Sequence, residues 1–379
     1  MNEGILFEMF IVFLLILLSP VVSRLLGMPA IVVETLLGIL LGPSFFCFLE
    51  ERHWLSAMAL IGFIYLMFVV GLEVELDVLK EELPKVIVIA LASFIIPFTL
   101  GYLVAIRYNL PPVFIGVALS TTSMGVVLPT IREFLQKSSV AQVLLGAAIL
   151  VDVISMFALT YVVEERFLSP HGAILLFAVI LSLFVIIALL RQRTSTRAKL
   201  IPIVGEHYLD VRICIALIFG FAVLAEVIGI HAIVGSFLAG LLVSELRRRV
   251  RSLSEKLLSF GYGFFIPIFF ITVGVRTNLW LVLGNLREIE VLVSLIIVGF
   301  VGKILGAYLA SRLVGFNGRE SLFMGLAMSA RLSLIIAAAE LGLSVGLISP
   351  SLYSTLILLA IVSVLLSPTL ARAVMERNS

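Results

Sequence analysis

Charge is scarce in this chain: Asp, Glu, Lys and Arg make up only 13% of its 379 residues, against 61% hydrophobic residues. With a mean hydropathy of +1.23, that scarcity excludes a soluble domain and marks an integral membrane protein. Cysteine is nearly absent. Cys47 and Cys214 are expected near opposite membrane faces, so no disulfide is expected. The net charge of +2 says nothing about nucleic acid, because the basic residues serve topology, and no nucleic-acid partner is expected. No Gly-x4-Gly-Lys-Ser/Thr loop occurs, which excludes a nucleotide-driven pump of that kind. No familiar selectivity-filter sequence speaks for a channel. No metal-ligand or nucleophile constellation speaks for an enzyme, and no cofactor is expected. The first apolar run carries Glu3 and Glu8 and no basic start, so it reads as a retained helix rather than a signal peptide. No appended soluble domain is expected after the last run.

Long apolar runs dominate what remains. Thirteen spans are predicted, at about 4–25, 30–46, 54–75, 86–107, 111–135, 139–163, 171–191, 209–229, 231–246, 257–276, 288–314, 319–342 and 351–374. Threading the chain through them puts nineteen Lys and Arg residues on one side and five on the other, with Lys303 and Arg331 inside the membrane. The positive-inside rule then places the N-terminus outside and the C-terminus in the cytoplasm of a cell-membrane protein. Thirteen divides as six, one and six. The expected architecture is a single all-α transporter domain over 1–379, with inverted repeats at 1–164 and 208–375 joined by a linker helix at 171–191.

Two internal features support the repeat. The second helix of each half is rich in small residues, Gly38-x-x-x-Gly42 and Gly235-Ser236-x-x-Ala239-Gly240, and this spacing favours close helix packing. The fifth helix of each half is interrupted by polar residues, at Ser120-Thr121-Thr122-Ser123 followed by Gly125 and Pro129, and at Ser329-Ala330-Arg331-Leu332-Ser333. Paired discontinuous helices in corresponding positions of two inverted halves point to a transported substrate's site. Hydroxyls in such runs can also satisfy themselves on the preceding turn.

Ionisable residues inside the spans are few: Glu34, Glu73, Asp152, Glu226, Lys303, Arg331 and, at a span's end, Glu340. Asp152 stands halfway along the apolar run from Val140 to Tyr161, where a charge costs at least ~2.5–3.5 kcal/mol. It is therefore read as functional, with a helix-packing carboxylate as the alternative. Lys303, mid-span in Val301-Gly-Lys-Ile-Leu-Gly306, pairs most economically with Asp152, unless it snorkels. Arg331 requires either a carboxylate, with Glu73 as the candidate, or helix C-terminal carbonyls at the break. Glu34 and Glu226 read as packing or interface carboxylates, and His231 as a loop residue. A carboxylate in such a place holds a proton or a small hard cation, and Thr121, Thr122 and Ser123 with freed carbonyls would complete an oxygen shell. Competition at one such site, opened to each side in turn, is antiport.

These residues resemble the monovalent cation:proton antiporter family, in particular its cation:proton antiporter-2 branch. The resemblance covers nearly the whole chain. It is carried by Glu34-Thr-Leu-Leu-Gly38-Ile-Leu-Leu-Gly42-Pro43, Phe68-Val-Val-Gly71-Leu-Glu73, Thr122-Ser123-Met-Gly125, Gly235-Ser-Phe-Leu-Ala-Gly240, Phe265-Ile-Pro267-Ile-Phe-Phe and Gly302-Lys303-x-Leu-Gly306. It implies a core with crossed discontinuous helices, a dimerisation domain, a homodimer, elevator-like alternating access, and a Na+ site centred on Asp152 with Lys303 as the core lysine. Two departures stand out. Val151 occupies a position that is acidic in many electrogenic members, which implies electroneutral exchange and leaves Lys303 without its usual partner. Ala330-Arg331-Leu332-Ser333 replaces the Pro-Arg-Gly-Glu of many relatives. The expected activity is Na+ (or Li+)/H+ antiport, with K+/H+ antiport and cation-coupled symport of an organic solute as alternatives.

Overall fold

The structure, a computed structural model, describes residues 3–73, 82–123, 126–127, 138–164, 208–227, 231–247 and 251–376. Every regular element among them is helical. In chain order they are α1 (Glu3–Leu26), α2 (Ala30–Leu41), α3 (His53–Leu72), α4 (Leu83–Tyr108), α5 (Pro112–Ser120), α6 (Ser139–Glu164), α7 (Leu209–Val227) and α8 (Ala232–Arg247). There follow α9 (Arg251–Phe260), a π-helical turn (Gly261–Phe265), α10 (Ile266–Arg276), the short α11 (Leu279–Leu283), α12 (Leu286–Leu313), α13 (Gly318–Ala327), α14 (Ser333–Ser344) and α15 (Pro350–Glu376).

Local chemistry sets several of these boundaries. Asn317 and Glu320 form a reciprocal capping box at the start of α13, and Asn285 accepts from the Arg287 amide to open α12. Prolines stand in the first turns of α4 and α5 and at the head of α15, where a missing N–H costs nothing. Among the described residues, seven helical stretches are long and apolar enough to cross a membrane: 4–26, 53–72, 83–108, 139–163, 253–276, 286–313 and 350–375. The protein is a multi-pass membrane protein. Both interruptions expected in the fifth helices are present, after Ser120 and between Ala327 and Ser333. The linker helix expected at 171–191 lies outside the described residues, as do Gly125 and Pro129.

The chain forms two compact units: Met1–Glu51, Glu75–Val163 and Val273–Ser379 in the first, Arg52–Val74 and Glu164–Thr272 in the second. Both interruptions, Asp152, Lys303 and Arg331 belong to the first unit, and Glu73 to the second. Within the first unit, α4, α6, α12 and α13 share an apolar core that includes Val86, Ile89, Val143, Leu144, Ala147, Val151, Ala307, Phe323 and Met324. Val151 is thus a core residue with no exposed surface, facing hydrocarbon where an acid would be costly. The α12 helix turns Ile297, Val301, Leu305 and Leu309 outward at helical spacing, a face suited to lipid, and keeps Gly299, Gly302, Lys303 and Gly306 buried.

The small-residue motifs serve close packing, as their spacing predicts. A Cβ placed on Gly274 would lie 2.1 Å from the Thr35 carbonyl oxygen of α2, and one on Gly240 of α8 would lie 2.1 Å from the Phe68 carbonyl oxygen of α3. Only glycine permits backbones that near.

Candidate functional site

The α5 helix stops at Ser120 because Thr121 turns to extended backbone, with ψ 159°. A helix end leaves carbonyls unsatisfied and carries partial negative charge. Two cations meet this one. Lys303, fully buried, donates to the Ser120 carbonyl at 2.5 Å, and Arg331 Nε donates to the Leu119 carbonyl at 2.9 Å.

Two further Arg331 donors also go to carbonyls, Nη1 to Ser329 at 3.1 Å and Nη2 to Gly299 at 2.6 Å. The guanidinium therefore ties the end of α5 to α12 and to its own interrupted segment. From α15, the Ser363 hydroxyl accepts from the Arg331 amide and donates to the Arg331 carbonyl, both at 2.9 Å, and Ser367 Oγ donates to the Leu326 carbonyl. Within the first unit the guanidinium is met by carbonyls, one of the two solutions expected for it. Glu73 Oε1, in the second unit, accepts from Tyr262 Oη at 3.4 Å.

Asp152 is buried, with 4% of its surface exposed. It and Arg331 both lie within electrostatic range of the Lys303 ammonium, whose hydrogen bond goes to Ser120. The polar run after α5 divides in two. The single Ser120 hydroxyl hydrogen is shared between the Gly116 and Phe94 carbonyls, both 2.8 Å from Oγ, and Thr121 Oγ1 bonds back to Ala118 at 2.9 Å. The Thr122 and Ser123 hydroxyls are buried and meet no hydrogen-bond partner among the described residues. Such atoms call for an ion or water, and a hard cation prefers oxygen ligands of this kind. Among the described residues no three His, Cys, Asp or Glu side chains cluster as a metal site. One carboxylate with neutral hydroxyls matches a single positive charge better than a double one.

The other expected groups lie elsewhere. Glu340 accepts from Arg276 at 2.5 Å and from Tyr353 at 2.6 Å, while Arg276 also reaches Glu51 at 2.6 Å. Glu34 accepts from Ser19 at 3.1 Å, which fits a packing role between α1 and α2. Reading the chain did not single out Ser363, since any of its many helical serines could bond to a neighbouring backbone. Ser155, also passed over, is one turn beyond Asp152 and its hydroxyl is likewise buried without a hydrogen-bond partner among the described residues.

Two interrupted helices, one of them capped at its end by buried cations, and a buried carboxylate within electrostatic range of the capping lysine are the features of a secondary transporter of the discontinuous-helix class. Residues 11–377 match the family described as sodium/hydrogen exchanger, transmembrane, and the chain belongs to that family. It is 30% identical over 380 residues to the probable Na+/H+ antiporter 3 of Methanocaldococcus jannaschii, covering 98% of this chain and 96% of that protein. It is 26% identical to the Na+/H+-K+ antiporter GerN of Bacillus cereus, over 97% of this chain and 96% of the other. The solved structure of the sodium proton antiporter MjNhaP1 from M. jannaschii at pH 8 has the same fold, with a TM-score of 0.65 over 99% of both chains at 16% identity.

Proposed function

We propose that this protein is a secondary active antiporter that exchanges Na+ (or Li+) for H+ across the cell membrane, the two ions competing for Asp152. The observation that carries the reading is a buried carboxylate in the same unit as a helix break whose Thr122 and Ser123 hydroxyls meet no hydrogen-bond partner among the described residues. Lys303 and Arg331 donate to carbonyls, and Asp152 is the buried acid proposed to exchange a proton for a cation. Val151 in the apolar core leaves a single acid at this point of α6, which supports one cation per proton and so electroneutral exchange. Family membership and the name of the M. jannaschii relative favour Na+.

K+ is the second reading, favoured by the names of two relatives: GerN, and the K+/H+ antiporter 1 of Saccharomyces cerevisiae, 27% identical over 97% of this chain and 46% of that protein. The proposed architecture has two inverted six-helix halves and a homodimeric assembly, with the N-terminus outside and the C-terminus inside. The packing supports the inverted halves. The second helix of the first half (α2) lies against the third helix of the second (α10), and the second of the second half (α8) against the third of the first (α3). A two-fold relation between halves produces such swapped pairs.

Purified protein in proteoliposomes with a pH-sensitive dye, challenged in turn with Na+, Li+ and K+, tests the reading. Proton movement on cation addition is expected, and the order of responses names the substrate. Silence to all three across several pH values would move the assignment to cation-coupled solute symport.

A further inference from the structure

Buried hydroxyls in the helices of this protein commonly bond back to the preceding turn. Thr35 reaches Ile31 at 2.9 Å, Thr272 reaches Ile268 at 2.7 Å and Ser329 reaches Gly325 at 2.8 Å. On α6 itself, Thr160 reaches Met156 at 2.8 Å. Ser155 departs from this habit. The residue is 1% exposed, yet its Oγ meets no hydrogen-bond partner among the described residues. A carbonyl one turn back is the partner such a hydroxyl ordinarily takes, so a side chain that forgoes it bears the desolvation cost without return. The position is not arbitrary. Ser155 follows Asp152 by three residues, which puts both side chains on one face of α6 about 5–6 Å apart at Cβ. Besides Ser155, three other hydroxyls share this unpartnered, buried state among the described residues: Thr122 and Ser123 at the first break, and Ser321 at the start of α13.

We infer that Ser155 is a direct ligand of the transported monovalent cation, its hydroxyl oxygen joining Asp152, Thr122 and Ser123 in an all-oxygen shell. This rests on the antiporter reading and deepens it by adding a residue that tunes cation preference. A hydroxyl offers a hard, neutral oxygen, which adds affinity for a small cation without adding a charge that would change the number of protons exchanged. A proton needs only the carboxylate, so the removal of this oxygen weakens the cation side of the competition selectively.

The test uses purified protein carrying Ser155→Ala, Ser155→Cys or, as a control, Ser321→Ala. In proteoliposomes the apparent KM for Na+, Li+ and K+ and the maximal rate are measured. In detergent the rise in melting temperature produced by each cation is measured without any transport. Ser155→Ala and Ser155→Cys are expected to raise the apparent KM for the preferred cation about tenfold with little change in maximal rate. Both are expected to blunt the cation-induced stabilisation. Alanine is smaller than serine and cysteine somewhat larger, with a soft sulfur in place of the hard oxygen, so an effect common to both variants is not a packing defect. Ser321→Ala, equally buried and unpartnered, is expected to change neither readout. Wild-type exchange with unaltered KM and thermal shift in both Ser155 variants would overturn the assignment of Ser155 alone. Wild-type silence in both assays would bring down the antiporter reading and this inference with it.

Discussion

The two helix breaks solve the same problem in opposite ways. At the second, between Ala327 and Ser333, the freed backbone near Arg331 is paired: its amide and carbonyl are held by Ser363, Leu326 by Ser367, and Ser329 by the Arg331 guanidinium. At the first, after Ser120, the backbone end is capped by Lys303 and Arg331, while two hydroxyls just beyond it stay unpartnered among the described residues. One break is a scaffold. The other is held open at the cost of buried polar atoms, which is what a site for an exchangeable ion requires. Substitutions at the first should therefore change ion handling more than stability, and those at the second the reverse.

The largest expected effect is at Asp152. Asp152→Asn keeps the shape of the side chain and removes the charge proposed to bind cation and proton, so coupled exchange in proteoliposomes should fall to background. Thermal stability should hold, because an uncharged amide is no harder to bury. Preserved exchange would end the single-site mechanism. Competition at one carboxylate has a further signature: where protons dominate the site, each pH unit of acidification should raise the apparent KM for the cation about tenfold while leaving the maximal rate unchanged.

Next comes Arg331. Arg331→Ala strips partners from three buried carbonyls on α5, α12 and its own segment. At about 1–3 kcal/mol for each buried group left unsatisfied, a loss of at least ~3 kcal/mol is expected, seen as a lower unfolding midpoint or failure to purify as a monodisperse species. Arg331→Lys should not restore stability, since a single ammonium does not span the carbonyls that a planar fork reaches. Full stability of either variant would remove the contrast between the breaks.

How much of this was legible before the structure depends on what kind of contact is involved. The breaks were visible because hydroxyls, glycine and an arginine interrupt otherwise unbroken apolar helices. The Gly38 and Gly240 motifs were visible because small residues at helical spacing have one common use. Partners were less legible. Lys303 was expected to pair with Asp152; it lies within electrostatic range of that carboxylate and also donates to the Ser120 carbonyl, an acceptor the sequence did not announce. Arg331 meets carbonyls for the same reason: a helix break creates acceptors from the backbone, and no side chain in the sequence announces them. Ser155 was hidden differently. Nothing in its letter separates it from Thr160, which bonds back to Met156.

Thr122→Val and Ser123→Ala sharpen the comparison from the first break. Each removes a hydroxyl that has no protein partner among the described residues, so stability without cation should change by less than about 0.5 kcal/mol. Their effect belongs to binding. The apparent KM for the preferred cation should rise between a few-fold and about tenfold, as loss of one neutral oxygen ligand permits. A large stability loss with unchanged KM would mean that these hydroxyls are structural after all.

Ser363→Ala gives the smallest expected effect on ion handling and the most direct contrast. The serine takes no part in ion binding in this scheme, but its oxygen accepts from the Arg331 amide and its one hydrogen is shared between the Arg331 and Ala360 carbonyls. Truncation leaves a buried amide unsatisfied, so stability should fall by about 1–2 kcal/mol. The order of preference among Na+, Li+ and K+ should stay as in the wild type, because the first break and Asp152 are untouched. Measured beside Ser155→Ala, this pair separates two serines that look alike in sequence. One should move the unfolding midpoint and not the KM, the other the KM and not the cation-free midpoint. If Ser363→Ala instead reorders the cations, the second break is coupled to the ion and cannot be a passive scaffold.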